Sequence, residues 1–134
     1  MSVETDIASA IKEKIIALVP AFDIYPLKSN TTERPNRFVA IETGLLKQEA
    51  PGVPYYQLPV SLHIGTRRIG EGGDPDEDVL DAAYEAIQAH FSPRTSFVPR
   101  TGWNVAGMVP LDPQITLDDT HNVRILSYNA FVTN

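Results

Sequence analysis

The sequence predicts an α+β fold: a mainly antiparallel sheet with two helices packed on one face, in the order α-β-β-β-α-β-β-β. Three observations lead there. Ile7, Ile11, Ile15 and Leu18 recur at helical spacing near the start of the chain. Tyr56, Leu58, Val60, Leu62 and Ile64 alternate with Gln57, Pro59, Ser61 and His63, the period of a half-buried strand. The two helical patterns stand apart, with strands grouped between and after them, which favours α+β over a doubly wound α/β arrangement. At 134 residues the chain suits one domain over residues 1–134, large enough to bury a core without disulfides.

The elements follow in order. Ser2 is placed to cap the first helix, with Glu4 and Asp6 in its first turn where they complement the helix dipole. The helix is expected over Val3 to Val19 and stops at Pro20. Phe22 to Leu27 reads as a strand, Ser29 to Asn36 as a loop, and Phe38 to Thr43 as a second strand ended by Gly44. Leu45 to Pro54 reads as a connection, although Leu45-Leu46 is an apolar pair for a loop. In the alternating strand that follows, Pro59 cannot donate to a ladder, so the pattern predicts an edge strand or a bulge there. Gly65 to Gly73 reads as a glycine-rich loop. Asp74 is then the expected cap of a second helix, with Pro75 in its first position and Glu77 three residues after the cap. Val79, Leu80, Ala83, Tyr84 and Ile87 form its apolar face, and it ends near Phe91. Ser92 to Gly102 reads as a loop. Trp103 to Val109, Gln114 to Leu117 and Val123 to Val132 read as strands. The last is apolar on both faces, which suits a central position or an oligomer contact.

Composition narrows the function classes. Cysteine is absent, which removes thiolate nucleophiles and cysteine-based zinc sites. With no basic n-region and apolar run at the start, this leads us to expect a reducing compartment. Apolar residues make up 43% of the chain but fall in short blocks, far from the ~20 consecutive residues of a membrane span. The formal net charge of −6 argues against a surface that wraps nucleic acid, because phosphate neutralisation supplies most non-specific affinity.

Four patterns could carry chemistry, and each has a plainer reading. Asp74, Asp76 and Asp78 alternate as in a calcium loop, but Val79 stands where an EF-hand needs glycine, and helix capping accounts for all three acids. His63, His90 and His121 fall on different expected elements. Asp118, Asp119 and His121 read as a polar turn more simply than as a metal site. Ser61 and His63 share a strand face by geometry alone. Gly65, Gly70, Gly72 and Gly73 lack the Gly-Lys-Ser/Thr of a phosphate loop. No catalytic residue, metal ligand or cofactor is therefore assigned. What remains points to contact: Leu45, Leu46, Tyr55, Arg67, Arg68 and Ile69 as partner-contact candidates. Aromatic and arginine residues are enriched at interfaces.

The whole chain has a recognisable texture. An amphipathic helix leads into Phe22-Asp23-Ile24-Tyr25-Pro26. The strands that follow end in Val60-Ser61-Leu62-His63-Ile64-Gly65. An acidic-capped helix then precedes a C-terminal strand ending Ile125-Leu126-Ser127-Tyr128-Asn129-Ala130-Phe131-Val132. In element order and length it resembles the tail terminator (tail completion) proteins of long-tailed bacteriophages. The resemblance implies a non-enzymatic virion protein at the tail–head interface, assembled in the host cytoplasm. It implies a homohexameric ring that caps the tail tube, stops its polymerisation and docks the head completion or stopper protein, with DNA passing through the bore. The family has no catalytic residues to carry over. The loops Leu45 to Pro54 and Arg67 to Gly73 become candidates for tube or neighbour contacts, and Leu126, Tyr128 and Phe131 on the last strand for subunit contacts. The net acidity is consistent with a bore that does not retain phosphates. Two alternatives stay open: another neck or head–tail joining protein, and a small metal- or ligand-binding enzyme domain using His63 or His121, Asp118 and Asp119.

Overall fold

The computed structural model describes residues 2–27, 35–67, 77–117 and 121–134, without the side chains of 116 and 117. Its elements are α1 (Val3–Leu18), β1 (Asp23–Pro26), β2 (Arg37–Thr43), β3 (Lys47–Gln48), β4 (Tyr55–Arg67), α2 (Glu77–His90), β5 (Phe97–Arg100), β6 (Trp103–Pro110), β7 (Gln114–Leu117) and β8 (His121–Thr133). The expected α+β order is present. Two short strands, β3 and β5, are added within segments read as connections. Neither has an alternating apolar run, and each exists only because a neighbouring strand offers it a ladder.

All eight strands form one sheet in the order β1-β2-β4-β8-β6-β5, with β3 on β4 and β7 on β8. Every pairing is antiparallel except β1 with β2. The spine is the 13-residue pairing of β4 with β8, in unbroken register from Tyr55↔Thr133 to Arg67↔His121. Tyr56, Leu58, Val60, Leu62 and Ile64 on β4, with Leu126, Tyr128, Ala130 and Val132 on β8, turn toward the helices. Ile7, Ile11 and Ile15 of α1 and Leu80, Ala83 and Ile87 of α2 close the same core from above. Both helices thus lie on one face, as expected from their single apolar stripes.

Local chemistry sets the helix ends. The Ser2 side chain accepts a hydrogen bond from the Thr5 amide at 3.2 Å, which satisfies one of the free donors of the first turn. At the other end the Val19 amide still donates to Ile15 at 2.9 Å before Pro20 ends the helix. The expected Asp74 cap of the second helix lies outside the described residues.

Two expectations about β4 are corrected. Pro59 sits on a central strand, and no bulge interrupts the register there. Its carbonyl accepts from the Gly44 amide at 2.9 Å, on the side where β2 has ended at Thr43 and β3 has not begun. In an antiparallel strand the amide and carbonyl of one residue point the same way. The missing donor therefore faces Gly44, just past the end of β2, where the pairing keeps one of its two bonds and the ladder to β2 stops. The second correction is Gly65, expected in a loop. It continues β4 to Arg67, and its lack of a side chain makes room for Phe38. A Cβ at Gly65 would lie 2.3 Å from a ring carbon of Phe38.

That contact belongs to a second, smaller cluster on the face away from the helices. Phe38, Ala40 and Val123 are buried there, with Tyr25, Leu27 and Ile125 packed around them. The His121 ring meets Phe38 edge-on at 5.4 Å, and its Nε2 lies 2.9 Å from the Pro35 carbonyl. The apolar residues on both faces of β8 are thus explained by two cores. Val123 and Ile125 serve the outer one, and Leu126, Tyr128, Ala130 and Val132 serve the main one.

Candidate functional site

The contact candidates separate cleanly by burial. Leu126 and Tyr128, expected at a subunit contact, instead face the chain's own helix-covered core, 3% and 1% exposed. Adjacent residues of a strand point to opposite faces, so the even positions here look inward. Burial and the nearby Tyr84 raise the Tyr128 hydroxyl to a pKa of about 12, a core property rather than a surface one. Phe131, at an odd position, is 37% exposed on the uncovered face.

Tyr55 joins it there. Gln57 is opposite Phe131 and Tyr55 opposite Thr133, so Tyr55 and Phe131 are diagonal neighbours on one sheet face. Around them runs a polar ladder. Asn129 donates to Gln57 at 2.9 Å, Gln57 donates to Glu49 at 2.7 Å, and the Ser61 and Ser127 hydroxyls are 3.3 Å apart. Two exposed aromatic rings set in a hydrogen-bonded polar surface match the composition of interface anchors.

The apolar pair in the connection after β2 divides its work. Leu46 packs against the main core, whereas Leu45 is 83% exposed. Leu45 stands at the rim of a cleft of about 410 Å³ between the start of α1 and the end of β2, lined also by Thr5, Ala8, Lys12 and Glu42. Arg67 is exposed at the far end of β4. With ~3.3 Å per residue, the two ends of this strand stand about 40 Å apart. Leu45 follows Gly44, which is bonded to Pro59, so it stands toward the Tyr55 end of β4, with Arg67 at the other end. Arg68 and Ile69 lie outside the described residues.

Among the described residues, the histidines weighed in the sequence are not brought together. His63 faces Glu42 at 4.0 Å across β4 and β2, while His121 is enclosed by Phe38 and Pro35. Asp118 and Asp119 lie outside the described residues, as do Asp74, Asp76 and Gly70, Gly72 and Gly73. Among the described residues no group of three or more His, Asp or Glu side chains is placed to hold a metal ion. No described helix is long and apolar enough to cross a membrane.

Several surface features escaped the sequence reading. Ile115 on β7, Val98 on β5 and Leu111 are exposed apolar side chains. Their sequence contexts resemble ordinary strand positions, and only the sheet order shows that they lie at its margin. A basic pit is also new. Lys14, His90 and Arg94 surround a hollow of about 360 Å³ completed by Ser92, Thr95 and Ser96. These residues span 83 positions of the chain, from Lys14 to Ser96, so no local pattern could announce them.

The chain matches no protein-family model and no curated protein. Solved structures do match. A chain from a structure described as the virion of a native gene transfer agent particle superposes with a TM-score of 0.71 at 14% identity. The match covers 99% of this chain and 98% of that one. A second solved chain gives a TM-score of 0.62 at 16% identity, covering 97% of this chain and 92% of its own length. Both share this fold from end to end.

Proposed function

We propose that this protein is a structural component of a phage-like virion. In this reading it forms a homohexameric ring that caps the tail tube, stops its growth and presents a docking surface to the head completion or stopper protein. The observation that carries the reading is the end-to-end likeness to a chain of a gene transfer agent virion. With nearly all of each chain covered, no large insertion in either chain separates the two. The role is contact rather than catalysis, with DNA only passing through the bore.

Two features of the chain support a two-faced adaptor. Leu45 stands toward one end of the β4–β8 spine and Arg67 at the other, so one can meet the tube while the other meets a neck protein or a neighbouring subunit. Tyr55 and Phe131 offer aromatic anchors on the face that the helices leave open. A head-to-tail contact that closes on itself yields a ring rather than a filament, which is what a terminator requires.

Light scattering behind a sizing column, followed by electron microscopy with purified tail tubes, tests the reading. We expect a ring-sized particle, in solution or on the tube, bound at one tube end and arresting extension. Rings that bind the neck but leave tube growth unaffected would transfer the protein to another head–tail joining role. A strict monomer that never decorates a tube would refute both.

A further inference from the structure

The basic pit sits at the end of α2. His90 is in the last turn of that helix, Arg94 follows it, and Lys14 reaches in from α1 with its ammonium 5.1 Å from the Phe97 ring centre. The remaining lining residues, Ser92, Thr95 and Ser96, are all hydroxyl-bearing, and no acid contributes to the wall. In a chain of net charge −6 this is a local reversal of sign. A histidine near a helix C-terminus is favoured by the helix dipole, which accounts for His90. It does not account for Lys14 and Arg94, which belong to other segments.

The opposite end of the same helix carries the opposite charge. Glu77 and Asp78 open α2 and are both exposed. The helix has 14 residues, so at ~1.5 Å per residue its two ends stand about 20 Å apart. Acid at one end and base at the other make the subunit electrically polar along α2. Two copies set antiparallel about a two-fold axis would satisfy both pairs within one closed dimer. Two copies set head to tail would pair Glu77 and Asp78 of one with Lys14 and Arg94 of the next.

We propose that the Lys14–His90–Arg94 pit receives the acidic start of α2 from a second copy of this chain, as the heterologous contact that propagates the ring. The inference rests on the ring reading above and adds to it which surfaces meet. Charge complementarity of this kind sets register, and the closed ring of the reading above selects the head-to-tail arrangement over a reciprocal dimer. The Ser92 and Ser96 hydroxyls can donate to the carboxylates without adding charge, whereas the Thr95 hydroxyl already donates to the His90 carbonyl.

The test is a charge swap. One variant carries Lys14→Glu and Arg94→Glu, the other Glu77→Lys and Asp78→Lys; circular dichroism checks that each is folded. Each alone should weaken self-association at least about tenfold, and mixing the two should restore assembly, because each reversed surface then finds its complement. Should a reversal variant fail to fold, cysteine cross-linking supplies the second measurement. The chain contains no cysteine, so Arg94→Cys with Asp78→Cys can form disulfides only between the introduced sites. An oxidised ladder of covalent multimers is expected from this pair. If the wild-type protein assembles while reversal variants assemble equally well, or the cysteine pair gives only monomer, the contact is wrong and the ring reading survives. If the wild-type protein never assembles, in solution or on tubes, both are overturned.

Discussion

Replacing Gly65 by alanine should destabilise the protein through a single side-chain collision. The new Cβ would stand 2.3 Å and 2.5 Å from two ring carbons of Phe38, against the 3.4 Å at which ordinary contact begins. The ring must therefore retreat by about 1 Å, and its surroundings resist this. Phe38 is 1% exposed, with the Tyr25 ring centre 6.0 Å away and that of His121 at 5.4 Å. Overpacking of this kind costs about 1–3 kcal/mol. At ~2.1 cal/mol/K per residue, unfolding this chain carries an entropy near 0.28 kcal/mol/K, so 2 kcal/mol lowers the melting temperature by about 7 °C. Thermal unfolding followed by circular dichroism reads this directly. Pairing Gly65→Ala with Phe38→Leu should cost less than the sum of the two single changes, because the smaller side chain removes the collision. A Gly65→Ala protein that melts within about 1 °C of the wild type would refute the claim that this strand is held open for the Phe38 ring.

Other outcomes follow from the division between covered and open faces. Phe131→Glu should leave the melting temperature nearly unchanged and abolish self-association on a sizing column. Leu126→Glu, which buries a charge in the main core, should prevent folding altogether. Leu45→Glu should likewise spare stability, since the side chain is 83% exposed, while reducing attachment to tail tubes; Leu46→Glu should cost stability. Among the five tyrosines, ultraviolet titration should find Tyr128 ionising last, near its raised pKa of about 12. Its unfolded value is about 10, so above that pH the unfolded chain releases a proton that the folded chain keeps. The stability tied to this group is thus fully present below about pH 10 and is lost as the pH rises toward 12. Tyr128→Phe should remove that part of the pH dependence.

The elements with strong periodicity were legible before any coordinates. The stripe of Ile7, Ile11 and Ile15, the Ser2 cap and the alternation along β4 are local patterns, and local patterns survive folding unchanged. β3 and β5 were not legible, because a two-residue or four-residue strand is defined by its partner rather than by its own residues. Pro59 misled for the same reason. Proline excludes one ladder bond, but the sequence does not say that the neighbouring strand ends at that point, so that the loss falls at the end of a pairing. Gly65 read as punctuation because glycine is common in loops, whereas its use here depends on Phe38, its partner on β2.

The contact residues divide along the same line. Leu126, Tyr128 and Phe131 lie on one strand and look alike as a run of apolar side chains. Only the position of β8 between β4 and β6, under the two helices, decides that the first two are core and the third is surface. The gathering of Lys14, His90 and Arg94 around one hollow is likewise a product of helix packing. By itself the sequence determined the helices, the main strands, the α+β class and an acidic, cysteine-free composition, because periodicity and charge are properties of neighbouring residues. The tertiary structure decided strand order, which face of each strand is open, and which distant charges share a surface, because those depend on residues that meet only when the chain is folded.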